Sequence, residues 1–131
     1  MKYSKFDLED RLIKFSVSII AIAKEIASDY TGKHLANQIV RSGTSASLNY
    51  GEAMAAESRK DFVHKIKIIL KELRETFVNL KIIHLSKIYR KEKNIITAKN
   101  ECDELISIFV SSQRTAEKNL YFLNNKSSIH K

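Results

Sequence analysis

Residues 62–83 read FVHKIKIILKELRETFVNLKII, and within them Phe62, Ile66, Ile69, Leu73, Phe77, Leu80 and Ile83 recur at spacings of three or four. That is the period of an α-helix with one broad apolar stripe, sustained for about six turns. Upstream, Ser58 followed three residues later by Asp61 resembles a capping box, with Asp in place of the usual Glu, so the helix is expected to open at residue 59. Downstream no breaker occurs before Lys91-Glu92-Lys93-Asn94, and the helix is expected to run to residue 91. The same period recurs on both sides. Leu8, Leu12, Phe15, Ile19, Ile22 and Ile26, with Ile13, Ile20 and Ala27 as a second row, predict a helix over 7–29. Tyr30-Thr31-Gly32 is read as its stop, with Gly32 taking the left-handed conformation beyond the helix end. A second helix, unusually rich in small residues, is expected over 33–57, with Leu35, Ile39, Ala46, Tyr50 and Ala53 on one side. A fourth, carrying Cys102, Leu105, Ile106, Phe109, Val110, Ala116, Leu120 and Leu123, is expected over 98–123, and 124–131 is expected to be a disordered polar tail.

Composition points the same way. The 131 residues contain no proline or tryptophan and only three glycines, so the tight turns of a β-sandwich or barrel have no residues to make them. The expected fold is all-α: an antiparallel up-down-up-down four-helix bundle occupying residues 1–123. One cysteine makes no internal disulfide, and the opening MKYSKFDLEDRL, charged through residue 11, does not look like a secretion signal. The longest apolar stretch, Val17–Ala23, is broken by Ser18 and falls far short of the roughly 20 residues of a membrane span. A cytoplasmic protein with no membrane partner is expected. Ile68, Val78, Ile82 and Leu85 lie off the main stripe of the third helix, more apolar surface than an isolated bundle needs, and this suggests self-association.

Chemistry-bearing patterns are few. No Glu is followed three residues later by His, the four histidines are dispersed, and Cys102 has no second cysteine, so no metal site is expected. No phosphate-cradling glycine loop occurs, and Cys102 on an apolar face reads as a small core residue rather than a nucleophile. Neither an enzyme nor a cofactor is expected. Two features remain. In the second helix Arg41, Ser45, Asn49 and Glu52 fall within about 80° of arc at 100° per residue, a polar seam flanked by Gly43 and Gly51. It reads either as a binding site or as a buried structural ladder at a helix or subunit interface. The ladder, with Arg41 and Glu52 as partners, is the expectation. Each glycine costs roughly 1 kcal/mol relative to Ala in a helix, which suggests that another backbone comes close at both.

The second feature is charge. The net charge is +8, and residues 58–93 alone hold eleven basic against four acidic side chains. On the third helix Lys60, Lys67, Lys71, Arg74 and Lys81 share one flank, while Asp61, Glu72 and Glu75 take the opposite one. The basic ribbon spans about 32 Å and suits a phosphate backbone, RNA or DNA. It carries no interleaved aromatic residues, so low sequence specificity is expected. The competing reading is a structural or protein-interaction module that binds no nucleic acid directly.

The run Leu35-Ala36-Asn37-Gln38-Ile39-Val40-Arg41-Ser42-Gly43-Thr44-Ser45, with Asn49, Glu52, Ser58, Asp61-Phe62 and Lys71-Glu72-Leu73-Arg74-Glu75-Thr76, resembles the four-helix-bundle family of the 23S rRNA-intervening-sequence proteins, which includes accessory proteins of diversity-generating retroelements. The resemblance covers roughly residues 6–123. One departure stands out: where the family commonly reads Asn-Ile-Ala-Glu-Gly, this chain has Asn49-Tyr50-Gly51-Glu52-Ala53. The resemblance implies a homopentameric barrel, a basic surface engaging nucleic acid, a reverse transcriptase or ribosomal component as possible partner, and no catalytic residues.

Overall fold

The computed structural model describes the backbone of residues 5–129 and the side chains of 7–125. Four helices follow one another: α1 (Lys5–Ile26), α2 (Tyr30–Met54), α3 (Arg59–Ser86) and α4 (Glu92–Ile129). Their connections are too short to let consecutive helices run parallel, so each reverses direction and packs on its predecessor. The α2–α3 interface is the most extensive, and α1 closes the bundle against α4 across the thinnest. Arg11 fastens that thin seam by donating from Nε and Nη2 to the two carboxylate oxygens of Glu101, at 2.8 and 2.7 Å, and from Nη2 to Glu104. Among the described residues no helix is long and apolar enough to cross a membrane.

The apolar stripes meet in one core. Leu8, Leu12 and Ile19 of α1, Ile39 of α2, Ile66, Ile69, Leu73, Leu80 and Ile83 of α3, and Leu105 and Phe109 of α4 are fully enclosed. Tyr50 meets Phe109 edge-on, with centroids 5.8 Å apart. Burying one such side chain contributes about 1.5–3 kcal/mol, so the periodic positions account for the association of the helices. Cys102 lies wholly in this core, its thiol donating to the carbonyl of Leu73 at 3.2 Å, and burial pushes its pKa up to about 12.

The helix ends depart from the sequence expectations. Gly32 does not stop α1. Asp29 caps α2 by accepting from the Gly32 N–H at 2.8 Å, and Gly32 sits inside the first turn of α2; no glycine among the described residues has a positive φ. Its need for hydrogen instead of a side chain is steric: a Cβ would stand 1.7 Å from the Ile26 carbonyl oxygen of the departing helix. At the next connection Ser58 caps α3 as expected, accepting from the Asp61 N–H at 3.0 Å. The helix then ends at Ser86 instead of residue 91, because Lys87 takes the left-handed conformation (φ 59°) and its N–H returns to the His84 carbonyl. The run Lys91-Glu92-Lys93-Asn94 is thus no breaker: Glu92 to Asn94 belong to the first turn of α4. α4 continues to Ile129 through the segment expected to be a disordered tail, and Lys131 and His130 lie outside the described residues.

Candidate nucleic-acid interface

Lys60, Lys67, Lys71, Arg74 and Lys81 all lie exposed on α3, a helix of 28 residues and so about 42 Å long. They differ in what holds them. Lys67 pairs with Glu117 of α4 at 3.3 Å, and the Lys81 ammonium stands 5.0 Å from the centre of the Phe77 ring. Lys60, Lys71 and Arg74 have no ion-pair partner among the described residues, which leaves their charge to the solvent. Because α3 is flanked by α2 on one side and α4 on the other, its outer face forms the floor of an open cleft of about 870 Å³. Lys67, Lys71 and Arg74 line it together with Arg41 from α2, and the amides of Gln38, Asn79 and Gln113 stand among them. Glu75 is the sole acidic residue in that lining.

The acidic flank expected on α3 exists, but of its three residues only Asp61 is fully exposed. Glu72 is buried and Glu75 half-buried, both turned toward α2. There Arg41 takes both: Nη1 donates to Glu72 at 3.0 Å and Nη2 to Glu75. The hydrogen bond with Glu75 and the charge of Glu72 raise the Arg41 pKa. Sequence pairing of Arg41 with Glu52 is therefore corrected. Eleven positions along one helix separate them by about 16 Å, beyond the reach of the two side chains. Glu52 pairs instead with Lys65 of α3 at 3.2 Å, while Asn49 donates to the Ser45 carbonyl and hydroxyl within α2. The seam is a ladder whose end rungs cross to α3. It is not buried throughout, since the Arg41 and Glu52 side chains remain 60% and 59% exposed.

Two hydroxyl pairs complete the packing around α2. Thr76 donates to Ser42 at 2.8 Å inside the core, and the Ser16 hydroxyl reaches the Gly43 carbonyl at 2.8 Å and Ser47 at 2.7 Å. Gly43 has a close neighbour, but it is a side chain and not the expected backbone: a Cβ there would lie 2.9 Å from Cγ2 of Ile19. Gly51 has none: nothing stands within 4 Å of a Cβ built on it. Among the described residues no group of three or more His, Cys, Asp or Glu is placed to hold a metal ion. The amides of the cleft and the contribution of Arg41 were missed in the sequence, because they come from three helices with no shared motif.

A family model described as 23S rRNA-intervening sequence protein matches residues 4–111. Among solved structures, a protein of unknown function from the S23 ribosomal protein family of Bacteroides thetaiotaomicron is similar at 28% identity. The match covers 81% of this chain and 97% of that one, with a TM-score of 0.74. No curated protein matches.

Proposed function

The chain belongs to the 23S rRNA-intervening sequence protein family, and from that premise we propose that it is a non-enzymatic cytoplasmic bundle that self-associates, as a homopentamer, and binds nucleic acid, as RNA or an RNA–protein complex, through the basic face of α3. The observation that carries this reading is the exposed row Lys60, Lys67, Lys71, Arg74 and Lys81, three of whose cations have no counter-ion among the described residues. Leaving so much like charge along one helix is unfavourable for the isolated protein, and a polyanion relieves it by releasing its own condensed counter-ions. The row offers charge but no exposed aromatic surface for stacking, Phe77 being half-buried under Lys81. Recognition is therefore of backbone and shape rather than of sequence.

Fluorescence anisotropy with labelled RNA and DNA across a salt series tests the proposal. Affinity falls steeply with salt, and replacing Lys67, Lys71 and Arg74 together by Gln weakens unrelated sequences by similar factors. On duplex DNA the slope of log K against log salt drops by about 0.9 for each phosphate that is no longer neutralised. Absence of wild-type binding to either polymer at low salt rejects nucleic acid as ligand. A protein-interaction module, such as a reverse-transcriptase accessory protein, then takes its place, a reading favoured by the exposed Val78, Ile82 and Leu85 on the same helix.

A further inference from the structure

Arg41 is the one cation of the cleft that does not come from α3, and it is engaged by two carboxylates in unlike surroundings. Glu72, with its side chain 8% exposed, sits where solvent cannot replace its partner; Glu75, at 37%, can turn to water. Parting a buried carboxylate from its cation is strongly unfavourable, whereas a half-exposed pair separates readily. A guanidinium presents several donors in a planar fork, so one amino group can stay with Glu72 while the other changes partner.

Phosphate entering among Lys67, Lys71 and Arg74 meets Glu75, the only acid in the lining, beside its path. A phosphate and the Glu75 carboxylate compete for the same Nη2 donor of Arg41. We propose that Arg41 is a further phosphate ligand of this cleft, held in reserve by Glu75, and that a nucleic-acid backbone binds by displacing Glu75 from Nη2 while Glu72 keeps Nη1. The inference rests on the reading of α3 given above and deepens it. Arg41 is then both a structural rung of the α2–α3 interface and a ligand. Glu75 lowers affinity for polyanions in general, so that only a ligand already held by several cations of α3 engages Arg41.

A double-mutant cycle on the full chain, read by anisotropy with a labelled duplex RNA and a duplex DNA of the same sequence, tests the exchange. Glu75→Gln is expected to tighten binding about threefold, in keeping with the modest strength of a half-exposed pair. Arg41→Lys keeps a charge for buried Glu72 but has a single ammonium, which stays on Glu72. It is expected to weaken binding and to lower the salt slope on duplex DNA by about 0.9. Adding Glu75→Gln to Arg41→Lys then gains almost nothing. Equal gains from Glu75→Gln in both backgrounds mean that Glu75 merely repels phosphate through space, and overturn the proposal, as does an unchanged affinity in Glu75→Gln alone. Should Arg41→Lys fail to fold by circular dichroism, Glu75→Asp decides it: it keeps the charge but is one methylene shorter and loosens the hold on Arg41 Nη2, so the exchange expects tighter binding, whereas unchanged affinity means repulsion through space and overturns the proposal. Failure of the wild type to bind either duplex overturns the α3 reading itself, whereas binding with no coupling in the cycle overturns this exchange alone.

Discussion

At the residue scale, the three glycines show how one residue type answers to different constraints. Gly32 lies against a main-chain oxygen that cannot move without unwinding α1, Gly43 against the buried Ile19 side chain, which would have to shift to admit a Cβ, and Gly51 against open space. Replacing Gly51 by Ala should therefore stabilise the protein by about 1 kcal/mol through helix propensity alone. Gly32→Ala should destabilise it by several times that amount, because the whole αα turn must shift. Chemical denaturation of both variants checks the pair, and equal effects would contradict the steric account. The seam makes a second prediction. Arg41→Ala leaves buried Glu72 without its cation and should cost about 1–2 kcal/mol, less than a fully enclosed pair because Arg41 is itself largely exposed. Glu52→Ala, which removes an exposed rung, should cost under about 0.5 kcal/mol. Reversal of that order would restore Arg41 and Glu52 as partners.

At the element scale, the turn between α3 and α4 carries a pH dependence. His84 Nε2 lies 3.0 Å from Glu92 Oε1, and Lys99 Nζ stands 3.3 Å from the other ring nitrogen. The hydrogen bond from His84, and then its charge, hold the Glu92 carboxyl below its ordinary value of 4.5. A depressed carboxyl contributes its stability above the unfolded-state value and loses it as pH falls through the folded one. Glu92→Gln should accordingly differ from wild type in urea midpoint at pH 6, and the difference should shrink as pH falls below 4.5 through the Glu92 titration. A gap that widens on acidification would show that the pairing has the opposite sign. The same logic applies to Glu117, lowered by hydrogen bonds from Gln113 and then Lys67, so acid loosens the α3–α4 contact at both of its ends. In α4 itself the last buried position among the described residues is Ser112, and beyond it Gln113, Ala116, Glu117 and Leu120 are half-buried.

At the scale of the whole molecule, apolar surface is left over. Ile13 and Val17 of α1, Leu48 of α2, and Val78, Ile82 and Leu85 of α3 are exposed, a distribution that a closed assembly of copies would cover. The proposed pentamer is checked by light scattering. A mass near the 15.1 kDa of one chain at micromolar concentration rejects self-association, and a dimer rejects the ring while keeping it. In a ring each +8 chain would add its α3 to a repeated basic array, so that placing a charge on a single exposed apolar residue, as in Leu85→Glu, should weaken assembly and nucleic-acid affinity together.

The sequence by itself determined the number of helices, their apolar stripes, the Ser58 cap and the one-sided charge of α3, because each is a matter of period and neighbouring residues along one chain segment. It placed Cys102 in the core for the same reason. Tertiary structure alone decided that Gly32 opens α2, where the clashing oxygen belongs to another helix. It also decided that Arg41 turns to Glu72 and Glu75 instead of Glu52, and that three helices supply one cleft. Those facts depend on the rotation and axial offset of one helix against the next, which are set by the packing of all the stripes at once and leave no mark in the period of any single one.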